Sequence, residues 1–313
     1  MNINILELPA EWPSLDPTHA CNSALTLAFT NCTTLIWFID SQDEYLDSLE
    51  RLHYYILDLL PSKPQLNIEV FIHKCDGVSD DFRHDIYRDI QTRVPEELAD
   101  ANVFNALLTF NQTSVYDKTL HEAFSRVLQK LIPELPTFAN LLDSLCANCG
   151  FIKAYIFDTK SNLYVASDTT PGSLPIYETC SDYLDTISEF TSIYNWMSRP
   201  PYASQYNSGA VPGETGVVTE SLITMEKKGA HGMGCREIDG HLMLIYMMAR
   251  EAHPKGKKAL VDFNLGVVVR ALRQVLERTE GRSKEARRKE GPWISEEERK
   301  RDGPVVEGRR RLR

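Results

Sequence analysis

Two short stretches carry side chains able to read a flat heterocycle. His73-Lys74-Cys75-Asp76 follows the apolar run Asn67 to Ile72, and Thr113-Ser114-Val115-Tyr116-Asp117 comes just after the run Phe104 to Phe110. A carboxylate held by a short loop accepts two hydrogen bonds from the N1–H and N2–H edge of guanine, donors that adenine lacks there, so Asp76 is the candidate for base selectivity. The stem of Lys74 can lie along a purine, and backbone N–H groups of the Thr113, Ser114 and Val115 loop can donate to the guanine O6. A lone Lys-x-Asp is more often merely a solvated turn after a strand. Its place at a strand end, with a second loop at the next strand end, favours a ligand rim, because open α/β sheets bind ligands beyond the carboxyl ends of their strands.

Other clusters point elsewhere. Cys146 and Cys149 have the spacing of a zinc pair, but no second pair follows and both fall on a predicted helix face, which favours core thiols. Gly229-Ala230-His231-Gly232-Met233-Gly234 lies between strands rather than before a helix, so it reads as a hairpin loop and not a phosphate cradle. No Ser/His/Asp or Cys/His arrangement stands out among His231, Cys235 and His241. The runs Arg287-Arg288-Lys289 and Arg309-Arg310-Arg311 are interspersed with Glu and read as a solvated tail rather than a lipid or RNA site.

The elements that must position the two stretches alternate. Strands are expected at Asn2 to Leu8, Thr34 to Ile39, Asn67 to Ile72 and Phe104 to Phe110, with helices at Asp43 to Leu60, Asp80 to Ala99 and Asp117 to Ile132. Tyr45, Leu49, Leu52, Tyr55, Ile56 and Leu59 recur at spacings of three and four, with Ser41 or Asp43 as N-cap. Nearly continuous apolar strands between amphipathic helices predict an α/β unit over residues 1–133, its parallel sheet covered on both faces.

Pro133 and Pro136 mark a boundary. Residues 134–279 then read α-β-β-α-β-β-α, an α+β unit with an antiparallel sheet: a helix capped by Thr137, strands Phe151 to Phe157 and Leu163 to Ser167, a helix through Tyr183 to Ile193, a loop over Pro200 to Gly216, strands Val217 to Met225 and His241 to Met248 around a Gly-rich connection, and a helix from Gly256 to Arg278. Residues 280–313 hold 12 Lys/Arg and 8 Asp/Glu with little to bury, and are expected to be disordered.

A net charge of −10 over 313 residues argues against nucleic acid as a partner met through the overall field. No run approaches the ~20 apolar residues of a membrane span, and Met1 to Trp12 holds Glu7 and Glu11 but no base, unlike a leader. A soluble protein is expected. Seven scattered cysteines suit reduced thiols in the cytosol.

The segment His73-Lys74-Cys75-Asp76-Gly77, between Glu69-Val70-Phe71-Ile72 and Ser79-Asp80-Asp81, resembles the base-recognition motif of the Rag GTPases of the C/D type and their fungal Gtr counterparts, in which His replaces the usual Asn. Phe38 to Asp43, Arg51-Leu52-His53, Arg88-Asp89-Ile90, Leu98-Ala99-Asp100, Thr113 to Asp117 and Glu122 to Ser125 resemble the same family in the same order, and residues 134–279 are similar to its roadblock domain. The resemblance implies an incomplete Ras-like P-loop GTPase sheet, then an α+β roadblock (longin-like) domain, then the charged tail. His73, Lys74, Asp76, Thr113, Ser114 and Val115 would be its guanine-binding residues.

The departures are equally definite. No Gly-x4-Gly-Lys-Ser/Thr occurs, and where the family has Asp-x-Pro-Gly near its metal this chain reads Glu7-Leu8-Pro9-Ala10. The degenerate switch II position, Glu7 and Ala10, leaves no metal ligand set and no catalytic residue. Met1 falls inside a family strand, which implies either a coding sequence that starts upstream or a cut-down relative. For the chain as it stands, the family's GTP or GDP is expected to bind weakly or not at all, its Mg²⁺ to lack ligands, and hydrolysis to be negligible. The resemblance further implies pairing with an A/B-type subunit, a Ragulator/EGO-type scaffold and relay of amino-acid availability to the TOR complex. Its compartments would be the cytoplasm, the vacuolar or lysosomal surface, and the nucleus. A nucleotide-independent roadblock adaptor is the other reading.

Overall fold

The computed structural model describes residues 5–7, 32–195, 220–224, 232–248 and 258–290. In chain order these form β1 (Thr34–Asp40), α1 (Leu46–Leu59), β2 (Asn67–His73), a 3₁₀ turn (Cys75–Gly77), α2 (Asp80–Asp100), β3 (Leu107–Gln112), α3 (Thr119–Lys130), α4 (Leu135–Cys149), β4 (Phe151–Asp158), β5 (Tyr164–Ser167), α5 (Leu174–Asn195), β6 (Glu220–Thr224), β7 (Gly232–Asp239), β8 (Leu242–Met248) and α6 (Lys258–Glu290).

β1, β2 and β3 form a parallel three-stranded sheet in that order. Ile68, Val70 and Ile72 of β2 pack with Leu49, Leu52 and Ile56 of α1 and Ile86, Ile90 and Leu98 of α2. Phe71 points to the other face, against Ala123 and Val127 of α3. A central strand buried on both faces needs apolar residues throughout, which is why β2 reads as a run rather than an alternation.

The second sheet is antiparallel, in the order β5-β4-β8-β7-β6. Alternate residues of its central strands serve two cores. Ala154, Ile156, Leu244 and Tyr246 meet α4 and α6 through Leu142, Leu145, Leu265 and Leu272. Tyr155, Phe157, Ile245 and Met247 meet α5 through Tyr177, Cys180 and Leu184. Cys146 and Cys149 are buried within this packing. Burial pushes the Cys146 thiol up to about 12, with the Asp168 charge adding in the same direction, so it does not ionise near neutral pH.

Several expectations need correction. Ile5 to Glu7 of the expected first strand carry no regular structure and are exposed, and the remainder of Asn2 to Leu8 lies outside the described residues. α1 starts at Leu46 after Tyr45 with no side-chain cap, as Ser41 is buried at the β1 exit and Asp43 accepts the Glu44 N–H instead. The strand expected at Phe104 to Phe110 is shifted to Leu107–Gln112, as Phe104 is 75% exposed beyond the end of α2. Thr137 is not a cap. Pro136 sits in the first turn of α4, where a missing N–H leaves nothing unsatisfied.

β7 was not expected: Gly232 to Gly234 of the supposed hairpin loop lie in it, and Gly229 to His231 fall outside the described residues. Glycine is needed at 234, where a Cβ would lie 2.3 Å from the Tyr246 ring. Cys235 is buried in the same strand. α6 runs on to Glu290, into the segment expected to be disordered, and residues 291–313 and the loop Pro200 to Gly216 lie outside the described residues. No helix among the described residues is long and apolar enough to cross a membrane.

Candidate functional site

The carboxyl ends of the three parallel strands converge on one rim. The Ser41 N–H donates to the His73 carbonyl at 2.9 Å, the Thr113 N–H to Ile72 at 2.8 Å and the Cys75 N–H to Thr113 at 3.3 Å, so each strand's exit loop is tied to its neighbour. Side chains repeat the pattern. His73 Nδ1 lies 3.0 Å from the Thr113 hydroxyl, and the Ser114 hydroxyl donates to Asp76 Oδ1 at 2.5 Å. Thr113 and Ser114 are buried, while Asp76 is exposed at the rim. A carboxylate has about four acceptor sites. Asp76 therefore keeps capacity for a ligand after serving Ser114.

Of the amides of Ser114, Val115 and Tyr116, that of Ser114 donates to Thr119 Oγ1 at 2.9 Å and that of Tyr116 to Ser114 Oγ at 3.0 Å. The Val115 N–H has no hydrogen bond among the described residues, and its residue is 67% exposed. The sequence offered this loop's amides as a group; the folded loop reserves two of them for itself.

Lys74 adopts the left-handed conformation, φ 60° and ψ 33°, which costs a non-glycine residue on the order of 1 kcal/mol. Three contacts hold it. Its carbonyl accepts the Gly77 N–H at 3.2 Å and the Gln42 side-chain amide at 3.1 Å, and its ammonium pairs with Asp40. Burial acts to raise the Asp40 pKa, but the Lys74 hydrogen bond and the Gln42 N–H outweigh it and leave the carboxyl below its ordinary value. The Lys74 ammonium is correspondingly raised by Asp40. Cys75 is no nucleophile: its thiol donates to the Ile72 carbonyl at 3.1 Å and burial raises it.

The structure thus brings His73, Lys74, Asp76, Thr113, Ser114 and Val115 together. Glu7 is exposed on a stretch without regular structure, and Ala10 lies outside the described residues. Among the described residues no cluster of His, Cys, Asp or Glu could hold a metal ion. His241 is in the turn between β7 and β8, away from this rim. Sequence reasoning missed Asp40, Gln42 and Thr119, although the rule that ligands sit at strand ends applies to Asp40 as the last residue of β1.

Residues 1–184 match the model of the Gtr1/RagA G protein conserved region. The chain belongs to the Gtr1/RagA family. Over 247 residues this family member is 40% identical to "GTP-binding protein gtr2" of Schizosaccharomyces pombe, covering 79% of this chain and 75% of that one. It is 34% identical over 277 residues to "Ras-related GTP-binding protein C" of Homo sapiens, covering 88% of this chain but 65% of the human protein. Identity to "GTP-binding protein gtr1" of Schizosaccharomyces pombe is 25% over 140 residues, 44% of each chain. The likeness is thus to the C/D type. Among solved structures, "MglB with tetrameric arrangement" aligns with a TM-score of 0.35 at 16% identity, over 47% of this chain and 93% of that chain.

Proposed function

We propose that this Gtr1/RagA family member is a C/D-type subunit of a heterodimeric Rag/Gtr GTPase whose rim at the strand ends reads guanine. Asp76 accepts from the N1–H and N2–H edge, the Val115 amide donates to O6, and the Lys74 stem covers the purine. The observation that carries the reading is the Asp76 carboxylate, exposed, bonded to Ser114 at 2.5 Å and linked through that loop to His73.

The residues present fit the base of GTP or GDP; they do not fit the triphosphate or Mg²⁺. The 313 residues contain no Gly-x4-Gly-Lys-Ser/Thr, and among the described residues Glu7 joins no cluster able to hold a metal ion. Base contacts alone contribute a few kcal/mol before the cost of association, so the chain as it stands binds weakly and does not hydrolyse GTP. Its proposed setting is a heterodimer with an A/B-type subunit through the roadblock-type C-terminal unit, on a Ragulator/EGO-type scaffold at the vacuolar or lysosomal surface, relaying amino-acid availability to the TOR complex.

A titration of the purified chain with GDP, competed by ADP, tests the base site. Weak binding that GDP but not ADP competes supports it, whereas equal competition or submicromolar affinity would contradict the reading as stated. The adaptor alternative draws on one observation: Leu260, Phe263 and Val267 lie exposed at spacings of three and four along α6. It predicts no guanine preference at all.

A further inference from the structure

We infer that Asp40 is a positioning residue of the base rim, one that holds Lys74 where its stem can cover a purine. This rests on the base-site reading above and extends it to a residue on a different strand.

A lysine ammonium on a four-carbon stem is free to sweep through solvent unless something fixes both ends. Lys74 is fixed at both. At the backbone it sits in the left-handed region, a conformation that persists only where neighbours enforce it, and Gln42 and Gly77 both bond its carbonyl. At the tip the ammonium pairs with Asp40 Oδ2, while Asp40 Oδ1 accepts the Gln42 N–H at 2.9 Å. One carboxylate therefore joins the tip of Lys74 to the residue that grips its backbone. The space above Gly77 belongs to the same device: a Cβ there would come within 2.0 Å of the Gln42 amide.

Stability is a poor account of this arrangement. The Lys74 side chain is 54% exposed, and an ion pair at such a site contributes little to folding. What the pair does fix is direction. It draws the stem from the β2 exit toward the end of β1, on the same rim from which Asp76 reaches Ser114 at the β3 exit.

The test is a double-variant cycle on the full chain with GDP as probe, read by calorimetry or by NMR shift titration. Asp40→Asn should weaken GDP binding about tenfold, Lys74→Met by a similar factor, and the double variant no more than Lys74→Met alone. Asp40→Glu should recover part of the loss. The melting temperature of Asp40→Asn should match that of the parent chain. Unchanged GDP affinity in Asp40→Asn, or losses that multiply in the double variant, overturns the inference and leaves the base site standing. A lowered melting temperature that accounts for the lost binding overturns it too. Failure of the unaltered chain to prefer GDP over ADP removes the base site itself.

Discussion

At the scale of single residues, Asp76 and the buried thiols give the sharpest expectations. Asp76→Asn exchanges one acceptor for an amide donor. Guanine then loses a charged partner, and a base with a carbonyl at C2, xanthine, gains a donor. GDP binding should drop roughly tenfold to a hundredfold while xanthosine diphosphate binds better, as a competition titration would read. The thiols act through pH. Cys146 and Cys180 are pushed up to about 12, chiefly by burial. Their folded-state pKa lies above that of a free thiol, near 8.5, so the neutral form is favoured by folding. Their stabilisation is complete below that value and is lost as pH rises toward about 12. Tyr155, Tyr177 and Tyr183, also raised by burial, add in the same direction. The urea midpoint of the C-terminal unit should therefore fall steadily between about pH 9 and pH 11; a flat profile would show these groups to be hydrated. Asp76 was legible because its chemistry and its place after a strand agree. Asp40 was not, because its partner is 34 positions away and only the parallel pairing of Asp40 with His73 brings them together.

At the scale of elements, α2 carries a residue that its neighbours must tolerate. Pro95 lies inside the helix and offers no N–H to the carbonyl one turn back, at Gln91. Pro95→Ala should raise the stability of the parallel-sheet unit by on the order of 1–3 kcal/mol, seen as a higher urea midpoint with unchanged slope. An unchanged midpoint would mean that unfolded-state entropy offsets the restored bond. The helices over 80–100 and 119–130 were readable because their apolar positions repeat with the period of a helix, and the strand over 67–73 because a short continuous apolar run suits a strand buried on both faces. β7 was not. Gly232, Met233, Gly234 and Cys235 show no clear alternation of apolar and polar, since glycine at 234 answers the Tyr246 ring from the neighbouring strand and not a turn. The capping errors have a similar source. Ser41 and Asp43 are cap-type residues, yet Ser41 is buried at the β1 exit and Asp43 accepts the Glu44 N–H, so α1 starts beyond both.

At the scale of the whole molecule, the two sheets are joined through α3. The Ser125 hydroxyl donates to His121 and accepts the Tyr164 N–H of β5 at 3.0 Å, and Lys118, one residue past the Thr113 to Asp117 loop, pairs with Asp185 of α5 at 2.9 Å. Ser125 is fully buried, so Ser125→Ala leaves the Tyr164 amide without a partner. The expected loss is about 1–3 kcal/mol, with the unfolding of the two units separating in a denaturation monitored by both tyrosine and tryptophan signals. A single coincident transition at the original midpoint would show that another contact carries the joint. The amino-acid sequence by itself determined most of the alternation of elements and the residue types at two strand ends, because these follow from local periodicity and from chemistry written in consecutive residues. The tertiary structure alone decided which loop amide keeps its N–H unbonded, which carboxylate anchors Lys74 and how α3 meets β5, because each depends on side chains and loops that come together only once the chain has folded.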